Sequence, residues 1–163
     1  MAELTVLDTK IAEVLGLAQA AQGAIDKVSK LVDDDALRSQ LERVKQEAVE
    51  TEERTTQLVE NLDGKKTAVL DKARETKREA TEMMSTYLGE DADGLDGFEF
   101  LTMAEAAEVG HWEVVGKLNE KARNPELQQI VEWVLPIQMR HFQQALDGSV
   151  QLAAGEDPNE IEA

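Results

Sequence analysis

Apolar residues recur at alternating steps of three and four along almost the whole chain, a period that predicts amphipathic helices rather than strands. Leu4, Leu7, Ile11, Val14, Ala18, Ala21, Ile25, Val28 and Val32 place a first helix over residues 3–32. Leu37, Leu41, Val44, Ala48, Thr51, Thr55, Leu58 and Leu62 place a second over 36–62. A weaker pattern through Leu70, Ala73, Ala80, Met84 and Tyr87 gives a third over 65–88. Residues 104–146 then read as two antiparallel helices joined at Asn124-Pro125, where an N-cap residue precedes a proline suited to the first helical turn. The stripe of the first arm is Leu101, Ala104, Glu108, His111, Val115, Leu118 and Ala122. That of the second is Leu127, Val131, Val134, Gln138, His141 and Ala145.

Each stripe of this last hairpin is broken once by polar residues three apart, Glu108 with His111 and Gln138 with His141, and the chain has only two histidines. His111 lies about thirteen residues before the turn and His141 about sixteen after it, so at about 1.5 Å per residue their depths differ by about one helical turn. The two breaks are therefore expected to meet near the middle of the bundle. The first hairpin is also least apolar at its centre. Ala18 and Ala21 sit beside Gln19 and Gln22, and counting from the Asp34 turn sets them opposite Glu50 and Glu47. Four helices in register would enclose one polar layer at mid-height. Burying a carboxylate and imidazoles unpartnered costs several kcal/mol, so the layer requires a metal ion or a closed hydrogen-bond network.

The 163 residues suit one domain, with a bundle over residues 1–154 and an acidic tail over 155–163. Aromatics make up only 4%, which leaves Ala, Leu, Val and Met to build the core. Cysteine is absent, which removes disulfide and thiolate chemistry. No basic segment followed by an apolar run opens the chain and no run of 18 apolar residues occurs, so a cytoplasmic protein without membrane partners is expected. The net charge of −17 repels nucleic acid.

Asp33-Asp34-Asp35 forms a turn and caps the second helix, and Asp63-Gly64 ends it. Lys65, Lys66, Lys72, Arg74, Lys77 and Arg78 gather on the third helix, where Glu75, Glu79 and Glu82 stand at pairing distance; this reads as a solvated face rather than a phosphate patch. Residues 89–97 read as an acidic loop. A calcium loop starting at Asp91 would need glutamate at its twelfth position and finds Thr102, so the match fails. Pro136, two residues before Gln138, removes a backbone donor near the polar layer. Trp112 and Trp133 are expected in packing or dimer contacts. Neither a glycine-rich phosphate loop nor a Ser-His-Asp arrangement is present.

Glu50-Thr51-Glu52 late in the second helix, Gly64-Lys65-Lys66 opening the third, His111-Trp112-Glu113 and residues 135–146 together resemble the ferritin-like superfamily. The similarity is to the small bacterial stress-associated proteins of the YciE/YciF type, which carry His-Tyr-Glu where this chain has His-Trp-Glu. It implies an all-α ferritin-like four-helix bundle: two long antiparallel hairpins with an additional crossover helix. Such proteins hold two metal ions with a Glu from each of two helices and a Glu-x-x-His pair from each of the other two. By that resemblance Glu108 and His111 match one pair, while Gln138 and His141 match the other with an amide in place of the carboxylate. Glu50 resembles the second-helix Glu, with Glu47 as an alternative, but Glu53 stands where a histidine belongs, and the first helix offers only Ala18, Gln19 and Gln22. The carboxylate set falls short of two ions.

Two functions follow. In the first, Glu108, His111, His141, Gln138 and Glu50 or Glu47 hold a transition metal (iron, manganese or zinc) in a stress-related homodimer, acting on oxygen or peroxide if redox-active. In the second, the site is metal-free and decayed in a non-enzymatic structural or interaction protein.

Overall fold

The computed structural model describes residues 2–162 and contains five α-helices: α1 (Val6–Ser29), α2 (Asp35–Glu60), α3 (Lys66–Tyr87), α4 (Gly94–Ala122) and α5 (Pro125–Ala153). No strand occurs among the described residues. Side-chain acceptors fix four of the five starts. Thr5 and Asp8 form a reciprocal capping box on α1, Asp34 accepts from the amide of Leu37 on α2, and Asn124 accepts from the amides of Glu126 and Leu127 on α5. Asp93 and Asp96 form a second box, so α4 begins at Gly94, inside the stretch expected as loop to residue 97. Two of that stretch's aspartates thus serve as helix caps. The α4–α5 turn runs through Arg123 at φ 54°, and buried Asn119 holds it by accepting from the Asn124 amide and donating to the Asn124 carbonyl.

Side-chain pairs give the direction of every helix. Asp26 meets Lys45 and Gln22 meets Glu52, so α1 and α2 are antiparallel. His111 lies beside Glu13 while Gly97 lies against Val28, so α4 also runs against α1. Asn61 meets Glu126 and Gln151 meets Asp34, which sets α5 against α2. From Asp8–Lys65 at one end to Lys27 on the Leu88 carbonyl at the other, α3 runs parallel to α1 along its length. The four bundle helices α1, α2, α4 and α5 therefore run up, down, down and up, and α3 makes the single lengthwise crossing.

α1 is central, packed against α2, α3 and α4, and it buries two faces. The expected stripe through Ile11, Val14, Ala18, Ile25 and Val28 is one; Ala12, Leu15 and Gly16 form a second, toward α3. At Gly16 a Cβ would collide with the Ala73 carbonyl and lie 2.8 Å from Thr76 Cβ, so the close α1–α3 crossing requires glycine there. On α3 only Ala68, Val69 and Ala73 are buried, and Tyr87 is exposed. Lys72 pairs with Glu75 and Arg78 with Glu82 as the spacing implied, whereas Lys65 reaches Asp8, Lys66 reaches Glu60 and Arg74 pairs with Asp71.

The apolar core is divided. One cluster, with Ile11, Val14, Leu58, Trp112, Val115, Leu127 and Val134, fills the end near the α4–α5 turn. The other, with Ile25, Val28, Leu41, Val44, Phe98, Leu101 and Ala145, fills the opposite end. Between them lie Thr51, Thr55, Glu105, Glu108, Gln138 and His141, all buried. A polar layer at mid-height is thus present, with a changed membership.

Candidate mid-bundle site

All six expected positions of the α5 stripe are buried, Leu127, Val131, Val134, Gln138, His141 and Ala145, and Ile130 and Gly148 are buried in addition. The α4 stripe is rotated. Its buried line runs Phe98, Leu101, Glu105, Glu108, Trp112, Val115 and Asn119, so Glu105 and Trp112 are inside where Ala104 and His111 were expected. His111 is consequently a correction: its side chain is 39% exposed, Nδ1–H donates to the Ala107 carbonyl at 2.7 Å, and Nε2 lies 3.7 Å from Glu13 on α1. It does not meet His141 in the layer. Glu50 is the second correction, half-exposed on the outside of α2 and paired with Arg54 at 2.8 Å. Trp112 is core, and half-buried Trp133 carries the Arg54 guanidinium 4.1 Å above its ring.

Glu47, Glu105, Glu108, Gln138 and His141 are the residues brought together. Gln138 Nε2 donates to Glu105 and lies 3.4 Å from Glu108 Oε2, so one neutral amide spans two buried carboxyls. Burial, the adjacent Glu105 charge and a hydrogen bond to Glu105 hold the Glu108 carboxyl well above the usual range, with the Gln138 amide opposing. On the other flank His141 Nε2 stands 3.4 Å from Glu47 Oε1 and Nδ1 stands 3.7 Å from Glu105 Oε2. Arg140 grips both oxygens of Glu47, at 2.8 and 2.5 Å, and this bidentate contact outweighs burial to hold the Glu47 carboxyl below the usual range.

α2 contributes less than its inward threonines promised. The Thr51 hydroxyl donates to the Glu47 carbonyl and that of Thr55 to the Thr51 carbonyl, both within their own helix, so neither reaches into the layer. Gln19 and Gln22 are also committed elsewhere, both donating to Glu52 on α2.

A metal centre needs several anionic or imidazole donors converging on one point. Here the amide of Gln138 takes the place of a carboxylate, Arg140 already neutralises Glu47, and His111 faces Glu13. Among the described residues no three His, Asp or Glu side chains are placed to hold an ion. The donor set therefore does not fit a di-metal centre. Sequence reasoning missed Glu105 and Arg140. The available signal for Glu105 was its seven-residue step to Trp112, and for Arg140 its place beside His141 on the α2 side of α5.

No family model, curated protein or solved structure matches the chain. No helix among the described residues is long and apolar enough to cross a membrane.

Proposed function

We propose that this chain is a ferritin-like bundle whose mid-height layer is held by a shared proton and an arginine rather than by metal, serving as a non-enzymatic structural or interaction protein. The observation that carries the reading is Arg140 bound bidentate to Glu47, the acid nearest His141 on α2. A cation entering there would have to displace a guanidinium already in place. The helix directions support the ferritin-like part, since bundles of that class combine two hairpins with one long crossover. An interaction role is supported by the outer faces of α4 and α5. Met103, Gly110 and Val114 follow one another by seven and four residues, and so do Met139, Leu146 and Val150; the five side chains among them are 37–63% exposed. A homodimer through this hairpin, in the stress-related setting the resemblance implies, is the expected assembly. Light scattering of the purified chain at micromolar concentration should give twice 18.0 kDa, and Met139→Glu should give the monomer; a wild-type monomer would reject the dimer.

A second reading is favoured by the pair of buried carboxyls that share one amide. One iron, manganese or zinc ion in place of a proton on Glu108 would have to draw Glu105, Glu108 and His141 together, since no three such side chains are placed to hold an ion among the described residues. Metal analysis of protein purified without chelator separates the two readings. The proton-held layer predicts less than a tenth of an equivalent of metal, by about an order of magnitude in occupancy, and a thermal midpoint unmoved by EDTA. Stoichiometric metal lost in His141→Ala would establish the second reading.

A further inference from the structure

Three independent features meet on the α2 side of the layer. Gln144 Oε1 is buried and has no hydrogen-bond partner among the described residues. An unpaired buried oxygen of this kind is destabilising and calls for a ligand. A cavity of about 10 Å³ opens beside it, bounded by Gln40, Leu41 and Val44 of α2, by Phe98 and Glu105 of α4, and by His141 and Gln144 of α5. That space accepts about one water molecule. Finally, His141 Nδ1 and Glu105 Oε2 are 3.7 Å apart, too far for a direct hydrogen bond and suited to a bridge.

We propose that this cavity is a one-water site, in which a single water bridges Gln144 Oε1, Glu105 and His141 and connects the buried layer to solvent beside Gln40. The water donates one O–H to Gln144 Oε1 and the other to Glu105, and it meets Nδ1 of His141 with its remaining capacity. Three polar partners are the usual complement of a buried water. Apolar side chains close the remaining walls, so a proton reaching Glu105 and Glu108 from this side must pass through the water. Of the titratable groups in the layer, Glu105 of α4 and His141 of α5 line the cavity; behind them stand Glu108 beside Glu105, and Glu47 with its partner Arg140 beside His141. The inference deepens the reading of a proton-held layer by giving that proton its route.

A high-resolution crystal structure of the wild-type chain in chelated buffer tests the site. One peak about 2.8 Å from Gln144 Oε1 and from Glu105 or His141, without anomalous signal, is expected. An empty cavity, or a Gln144 side chain turned out to solvent, would overturn the site. The route is tested in solution by the exchange of the His141 ring N–H, read by nitrogen-15 NMR. Val44→Ile adds one methyl to the cavity wall and should slow exchange about tenfold, while Gln144→Leu removes the acceptor and should slow it as well. Unchanged exchange in both variants would overturn the port. Metal found in the purified protein would sink the proton-held reading and leave the water peak and the exchange result standing.

Discussion

Glu108 sets the pH behaviour of the molecule. Its carboxyl is raised by burial first, then by Glu105, so the folded state holds a proton that the unfolded chain releases near the ordinary glutamate value. Stability from this group is therefore complete at acid pH and declines as pH rises through the raised value. Glu47, lowered by Arg140, works in the opposite sense, and so does Asp8, where hydrogen bonds from Lys65 and Thr5 outweigh burial. Their contributions are present above the ordinary carboxylate range and fade on acidification. The groups that face the Glu105–Glu108 pair are Gln138 and His141 from α5, with Glu47 of α2 and its partner Arg140 beyond His141, while α1 carries the uncharged, buried Ala18 and Ala21. Glu108→Gln removes the ionisation and keeps the shape. At pH 8.5 it should raise the thermal midpoint by roughly 2–5 °C, about 1 kcal/mol for a chain of this size, and at pH 5 the gain should vanish. Circular dichroism melts at the two values check this, and a variant less stable than wild type at both would contradict it. Half of the layer could be seen in the sequence, because Glu108, Gln138 and His141 interrupt apolar stripes. Glu105 could not be separated from His111 by periodicity, since lines through Leu101, Glu108 and Val115 accept either flank. Packing chose the side bearing Trp112, whose ring fills the core, and left the histidine at the edge.

The helices themselves were legible to within a few residues, apart from the early start of α4, which the Asp93–Asp96 box extends into an expected loop, and the end of α5, which runs to Ala153 rather than residue 146. The way α3 is fixed was not. A helix with three buried small or branched residues has a weak stripe, and its position is determined by what α1 offers it. Gly16 is that offer, a notch in the second buried face of α1. Gly16→Ala should destabilise the chain by about 2–3 kcal/mol, since backbone rather than a mobile side-chain tip blocks the new methyl. The urea midpoint should fall, and contacts of α3 should be lost before those of α4 and α5 in hydrogen exchange. Gly23 supplies the control, being exposed in the same helix with nothing near its Cβ position. Gly23→Ala should stabilise by about 0.5–1 kcal/mol through helix propensity alone. Equal effects of the two substitutions would show that α3 does not depend on the notch.

At the scale of the whole molecule, two hairpins and a crossing segment could be inferred from stripe lengths and turns, whereas the up, down, down, up order rests on contacts that no local pattern encodes. Charge acts at this scale too. With 34 acidic and 17 basic residues, like charges are crowded onto a compact surface and repel one another more than in the expanded chain. The exposed pairs on α3 oppose this weakly, because surface ion pairs contribute about 0–1 kcal/mol each and are screened as readily. The bidentate Arg140–Glu47 contact is two-thirds or more shielded from solvent and less sensitive to salt. Net repulsion should therefore govern the response. Raising sodium chloride from about 0.01 to 0.3 M shortens the screening length from about 30 to under 10 Å and should raise the thermal midpoint by roughly 3–6 °C. The gain should flatten once screening is shorter than the spacing between surface carboxylates. A midpoint that falls with salt over this range would mean that the surface ion pairs, and not the excess of acid, dominate the electrostatics of the fold.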